Sequence, residues 1–316
     1  MMDGEPLGVA PGPSSDWAHG RGVMALDRPR VMAIVNVTPD SFFDGGRLHD
    51  GHAPALDAAL EHARRCVTQG ADLLDIGGES TRPGAEPVPE AEEARRVVPL
   101  IAALHADAAL REVPISVDTR RADVAAQALA AGASIANDIS GLADLRMIAV
   151  VAEANAGLVI GHLRGRPQTM QTQVAFDDVV REVTDELVAR VDAAVAGGIE
   201  RDRILVDPGI GFGKTAQQSA ALVAASEALR EATGCAVLIG ASRKSFLGVI
   251  ATDTPAAEQR LPGSLAAAIM AVQHGASVLR VHDVRETVQA VSVARGIRSA
   301  FEQLSGPNAA AGEARA

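Results

Sequence analysis

The stretch ILVDPGIGFGKT, residues 204–215, carries two competing signals. Its last four residues look like the end of a nucleotide-binding P-loop. Its first six read as a short apolar strand closed by an acid and a turn. A P-loop needs glycine, four free positions and then Gly-Lys-Ser/Thr. Counting back from Gly213 puts Pro208 where the first glycine belongs, and Gly209 and Gly211 lie too close. The strand reading, by contrast, recurs along the chain. VMAIVNV (31–37), DLLDIG (72–77), PISVDT (114–119) and SIANDIS (134–140) precede it. LVIGHL (158–163) comes just before ILVDPG (204–209), and AVLIGAS (236–242) and SVLRVHD (277–283) follow. Each is a short apolar run rich in β-branched residues, with a polar or glycine end.

Helical periodicity fills the gaps. Leu56, Leu60, Ala63 and Val67 share one face, and Gly70 follows as a stop signal. Phe176, Val179, Val180, Val183, Leu187 and Val191 repeat the pattern after the fifth strand. Eight strand–helix units in series predict an α/β fold, a single (β/α)8 TIM barrel. A doubly wound sheet is built from the same units and is the other architecture to weigh. The barrel is expected over residues 23–304. The Gly/Pro/Ser-rich segment 1–22 reads as a flexible extension and 305–316 as a disordered tail.

Composition agrees. Of 316 residues, 47% are hydrophobic but only 2% aromatic, with no tyrosine, so the core must come from Val, Ile, Leu and Ala, as parallel strands under helices require. The net charge of −11 argues against a nucleic-acid or anionic-membrane surface. No apolar run approaches the roughly 18 residues of a membrane helix, and the N-terminus has no signal-peptide pattern. Cys66 and Cys235 make no metal or redox spacing and read as small buried hydrophobes. A cytoplasmic location fits.

The polar residues gather where active sites of such barrels are built, at the C-terminal strand ends. They are Asn36, Asp75, Asp118, Asn137, His162, Asp207, Arg243/Lys244 and Arg280/His282. One strand-end acid is often only a helix cap; eight units obeying the rule are not explained by capping. Asp118, Asn137 and Asp207 would present acceptors to an amino-pyrimidinone edge, and Lys244 would donate to ring acceptors. The competing reading pairs these acids with Lys244 or Arg243 in a resting ion-pair network. Arg280 and His282 flank Val281 on one strand and share a face, so with Asn36 they would grip a diphosphate. Mg2+ would accompany it, since that ion binds through few protein oxygens plus phosphate. The loops TPDSFFDGG (38–46) and GGESTRPGAEP (77–87) are expected to close over substrate.

VMAIVNVTPDSFFDGG, GADLLDIGGESTRPGA, PISVDT, ANDISG, DPGIGFGKT, SRKSFLG and LRVHDV, in this order, closely resemble the dihydropteroate synthase family over about residues 23–303. The resemblance implies an enzyme of folate biosynthesis that condenses 6-hydroxymethyl-7,8-dihydropterin diphosphate with p-aminobenzoate, releasing pyrophosphate, with Mg2+ as cofactor and sulfonamides as competitors. It assigns the pterin to Asp118, Asn137, Asp207 and Lys244. The diphosphate falls to Asn36, Arg280, Val281 and His282, with Asn36 as metal ligand. The p-aminobenzoate site is assigned to Thr81, Arg82, Pro83, Phe212 and Ser245. Asp40, Arg82, Lys244, Arg280 and His282 are the expected catalytic set. A homodimer is expected by analogy, possible through the helix of 263–275 and the final helix. Two departures stand out: Gly161 where the family often has methionine, and Phe43 where a smaller residue is common. A pterin-dependent methyltransferase shares the barrel but has no use for the STRPGA loop or the Arg280/His282 clamp. A non-catalytic pterin-binding paralogue would be expected to have lost Asn36, Arg82, Lys244 or Arg280.

Overall fold

The computed structural model describes residues 16–37, 52–79, 87–165, 170, 175–252 and 256–305. After a two-stranded hairpin, β1 (Asp16–His19) and β2 (Gly22–Ala25), come eight parallel strands. They are β3 (Arg30–Asn36), β4 (Leu73–Gly77), β5 (Ile115–Asp118), β6 (Ile135–Asp138), β7 (Gly157–Gly161), β8 (Ile204–Asp207), β9 (Ala236–Ile239) and β10 (Val278–Val281). Each pairs with the next, and β10 pairs back with β3 through Arg280↔Met32, which closes the barrel. A doubly wound sheet would leave two free edges.

Ten helices cover the described outside: α1 (His52–Thr68), α2 (Glu90–Ala106), α3 (Ala122–Ala130), α4 (Arg146–Glu153), α5 (Val179–Ala196), α6 (Ala216–Val223), α7 (Ser226–Thr233), α8 (Phe246–Ile250), α9 (Leu261–Gln273) and α10 (Val284–Ser305).

Strand alternation divides the core into two layers. Met32, Leu73, Ile135, Val159, Leu205, Leu238 and Val278 fill the barrel interior. Their neighbours, such as Val31, Leu74, Leu158, Val206 and Leu279, pack outward against the helices. Truncating one of these leucines to alanine costs about 2–5 kcal/mol. Cys66 and Cys235 are buried and unpaired, as their spacing predicts.

The N-terminal boundary differs from the sequence expectation. Residues 16–25 form the hairpin, and Trp17 and Met24, opposite each other in register, join the interior layer. Trp17 Nε1 donates to the Arg203 carbonyl (3.0 Å) and the Gly20 amide to that of Ser134 (3.0 Å). Both acceptors immediately precede a strand, so the hairpin plugs the N-terminal end of the barrel. One large aromatic among polar and small residues supplies this seal, against which flexible-segment composition has no weight. Among the described residues no such plug fills the C-terminal end, the mouth of the barrel.

Candidate active site

Side-chain parity decides what faces that mouth. Leu73, Leu205 and Val278 point inward, so the residues two positions on, Asp75, Asp207 and Arg280, do too. Asn36, Gly77, Asp118 and Asn137 are successive register neighbours across four strands. Gly77 leaves a flat gap in that row: a Cβ there would lie 3.0 Å from Asn36 Oδ1 and 3.7 Å from Asp118 Cβ. Across the mouth Gly240 does the same between Arg280 and Asp207.

Arg280 ties the floor together. Its Nε donates to Asp75 Oδ2 (2.6 Å) and its Nη2 to Asp118 Oδ2 (2.5 Å). Asn137 Nδ2 donates to the same Asp75 oxygen (3.1 Å). Asp75 Oδ1 is fully buried and has no hydrogen-bond partner among the described residues. Burial pushes the Asp118 carboxyl up to about 7; Arg280 opposes that rise, and the carboxyls of Asp75, Asp138 and Asp207 add to it. For Arg280, burial works against the cation but Asp75 and Asp118 outweigh it, holding the guanidinium above its usual value. An ion-pair network therefore exists, but its base is Arg280. Arg243 instead forks onto Asp283 (2.9 and 2.5 Å), away from the acids. Beside it, His282 Nδ1 meets Ser242 Oγ at 3.0 Å, and that hydroxyl also accepts the His282 amide.

The loop after β8 forms the opposite wall. Gly209, Gly211 and Gly213 all have positive φ (69°, 78° and 61°), which only glycine adopts cheaply. The curled backbone lets Asp207 Oδ1 accept the Gly209 amide (2.7 Å). Lys244, half-buried, donates to the Ile210 carbonyl and stands 4.2 Å over the Phe212 ring. Burial brings its ammonium down to about 8, against the pull of Asp207 and with the push of Arg280. Ile139, Leu163, Met170 and Phe212 cluster as an apolar wall beside it.

Lys214 is buried and seats the loop. Its Nζ contacts the Phe212 carbonyl and His162 Nδ1, each at 3.0 Å. His162 differs from its expected place in the polar ring. It points out of the barrel, with Nε2 3.1 Å from Glu186 Oε2 on α5. Its odd parity relative to Val159 is the physical reason. Burial drives its imidazole down to about 2 and the Lys214 ammonium down to about 7.

Comparison with known proteins now has a geometry to meet. The profile of the family described as "Pterin binding enzyme" matches residues 32–282. The dihydropteroate synthase of Neisseria meningitidis serogroup B is 44% identical over 281 residues, covering 88% of this chain and 95% of that protein. The chain belongs to the dihydropteroate synthase family. Solved structures agree with that placement. Xanthomonas albilineans dihydropteroate synthase with 4-aminobenzoic acid superposes with a TM-score of 0.79 at 45% identity, over 87% of this chain and 95% of that one. The Xanthomonas albilineans dihydropteroate synthase complex with 7,8-dihydropteroate gives 0.77 at 43%, over 88% and 97%.

Of the residues that the likeness to dihydropteroate synthases singled out, Asn36, Asp118, Asn137, Asp207, Lys244, Arg280, His282 and Phe212 lie around one mouth. Ser245 is exposed at the start of α8. The Val281 side chain packs in the outer layer, so only its backbone faces the site. Asp40, Thr81, Arg82 and Pro83, with Phe43, lie outside the described residues. Gly161 packs tightly: a Cβ there would meet Ile139 Cα at 2.7 Å. The residue missing from the expected ligand set is Asp75. Its signal, an acid at the end of a strand with interior parity, was in the sequence. Its partners, Arg280 and Asn137, were not. Among the described residues no group of three or more His, Cys, Asp or Glu is placed to hold a metal ion. Asn36 offers one neutral side-chain oxygen, which makes no hydrogen bond to another described residue and fits an ion arriving on phosphate oxygens.

Proposed function

We propose that this chain condenses 6-hydroxymethyl-7,8-dihydropterin diphosphate with p-aminobenzoate to 7,8-dihydropteroate and pyrophosphate, as a dihydropteroate synthase of folate biosynthesis. The observation that carries the reading is a surplus of inward acceptors at one level of the mouth. Asp75 Oδ1 has no hydrogen-bond partner among the described residues, and Asp118, Asn137 and Asp207 each commit one group to the protein. A buried acceptor needs a donor, and an amino-pyrimidinone edge supplies several side by side. The gaps at Gly77 and Gly240 leave room for a flat ring.

In the reaction the bond between the pterin methylene and the diphosphate oxygen breaks, and its electron pair leaves with the diphosphate. The arylamine nitrogen forms the new bond and sheds one proton to solvent. Arg280 and His282 stabilise the departing negative charge, and the carboxylates of Asp118 and Asp207 stabilise the electron-poor pterin. The arylamine is already nucleophilic, so no general base is needed. The loops at 38–46 and 77–87 are assigned the aminobenzoate site and the exclusion of water from the cationic carbon. Mg2+ would be held by Asn36 with the diphosphate oxygens and would neutralise part of their charge. Incubating the protein with both substrates and Mg2+ and measuring pyrophosphate tests the reading. No release above background, where a known synthase is saturated, would sink it.

The site charges set a pH profile. Asp118 accepts pterin N–H groups only when ionised, so kcat/KM for the pterin should rise with pH through about 7. Lys244 donates as an ammonium, so the rate should fall through about 8. A narrow bell is expected, and Asp118→Asn should remove its acid limb; a flat profile from pH 6 to 9 would contradict both roles.

A homodimer and a cytoplasmic location belong to the same proposal. α9 and α10 pack side by side, and Met270 of α9 with Val293, Ile297, Phe301 and Leu304 of α10 are exposed large apolar residues. Spacings of four, four and three put the last four on one face. Light scattering should give two chains, and Ile297→Glu with Phe301→Glu should give one. Unpaired buried thiols fit a reducing compartment, which cell fractionation checks.

A further inference from the structure

The mechanism above leaves the buried Lys214 ammonium unused. Lys214 is 4% exposed, and no ion pair to a carboxylate is found for it among the described residues. Holding an ammonium in such a place on neutral acceptors is costly, and a methyl-tipped side chain would fill the same space without that cost. What the ammonium does there is specific. Amides of the loop 208–214 are held by Asp207 Oδ1 at Gly209 (2.7 Å), by Ser219 Oγ at Gly211 (3.2 Å) and by the Gly209 carbonyl at Phe212 (3.0 Å). Its carbonyls at Ile210 and Phe212 are each met by one lysine ammonium, Lys244 from beyond the loop and Lys214 from the loop's own end. Lys244 takes Ile210 from the mouth side. Lys214 takes Phe212 from behind (3.0 Å) while holding the end of β7 through the His162 carbonyl (3.4 Å) and Nδ1 (3.0 Å).

The fit is close. A Cβ at Gly209 would lie 1.9 Å from the His162 carbonyl oxygen, so loop and strand end are in direct contact where Lys214 joins them. His162 is itself held from the far side by Glu186, which Arg164 (2.5 Å) and Arg190 (3.4 Å) fix in turn. With Nε2–H given to Glu186, Nδ1 is free to accept from the lysine. The chain of contacts runs from α5 through His162 and Lys214 to the Phe212 carbonyl, and ends at the ring on which Lys244 rests.

We propose that Lys214 is a positioning residue for catalysis, setting the 208–214 loop so that the Phe212 ring and the Ile210 carbonyl hold Lys244 at the mouth. It touches neither substrate; it acts through Phe212. The proposal rests on the reading of this mouth as the pterin and aminobenzoate site, with Phe212 on the aminobenzoate side.

The test is a double-mutant cycle on the full-length enzyme. Wild type, Lys214→Met, Phe212→Leu and the double variant are assayed with both substrates and Mg2+. Lys214→Met is expected to raise KM for p-aminobenzoate about tenfold through the Phe212 ring, and to raise KM for the pterin diphosphate by a smaller, about threefold, step through Lys244. In the Phe212→Leu background the same substitution should change KM for p-aminobenzoate by less than about twofold, since coupled residues are not additive. An unchanged KM in Lys214→Met, or equal changes in both backgrounds, overturns the proposal. So does a uniform loss of kcat with every KM intact. If Lys214→Met does not fold, Lys214→Gln, which keeps an N–H for the Phe212 carbonyl but loses the charge, should raise KM for p-aminobenzoate about threefold; equality with wild type in KM overturns the idea. The wild-type arm separates the two claims: no turnover there refutes the functional reading, whereas normal turnover with additive variants refutes only Lys214's role.

Discussion

Arg280→Ala should lower kcat by at least about 10³-fold, because it removes a preorganised cation from the departing diphosphate. The structure makes this substitution larger than the loss of one anion contact. Nε and Nη2 of Arg280 are committed to Asp75 and Asp118, and no hydrogen bond from Nη1 to a described residue is found. That third nitrogen is the one left for the leaving group. Without the guanidinium two buried carboxyls lose their counter-charge, and breaking such a pair costs about 3–5 kcal/mol of stability. The Asp118 carboxyl would move further above 7 and stay protonated at neutral pH, since Arg280 is the group holding it down. A pterin without diphosphate should still bind, about tenfold more weakly for the loss of one ionised acceptor. Arg280→Lys should rescue little, because one ammonium cannot fork between two carboxylates. Single-turnover pyrophosphate release, calorimetry with the pterin alcohol and urea unfolding read the three effects separately. Normal turnover in Arg280→Ala would remove Arg280 from the chemistry.

Asp207→Asn should weaken pterin binding by about 30- to 100-fold, or about 2–3 kcal/mol, the worth of a buried hydrogen bond to a charged group. The amide oxygen still accepts from the Gly209 amide, as Asp207 Oδ1 does now, so the loop should keep its shape and the melting temperature should move little. KM for p-aminobenzoate should stay within about twofold. A second effect follows from charge. Asp207, ahead of Asp118, supports the Lys244 ammonium against burial, so its loss should move the alkaline limb of the pH profile to lower pH. Equal losses for both substrates would mean a displaced loop, and an unchanged pterin affinity would place the pterin elsewhere.

Much of this site could be read before any coordinates. In ILVDPG the Leu205–Asp207 spacing of two already puts the acid on the barrel-interior face, and the same holds for Leu73–Asp75 and Val278–Arg280. The same rule, applied strictly, separates His162 from the ring, because it stands three residues after the interior Val159. Lys244 and Lys214 both lie in polar, glycine-flanked stretches and look alike in sequence. Only burial distinguishes the one over Phe212 from the one beneath it. The hairpin escaped because Trp17 is a lone aromatic in a segment whose composition is otherwise that of a flexible leader.

By itself the sequence determined the eight-unit repeat, the face on which each strand residue lies and the family. All three depend on local spacing, which the backbone's two-residue and 3.6-residue periods translate directly into geometry. The tertiary structure alone decided which charges meet. Arg280 is 205 residues from Asp75 and 162 from Asp118, and they become neighbours only when β10 closes on β3. Whether a buried acid finds a cation, a backbone amide or no partner depends on that closure, and so does its readiness to receive a ligand.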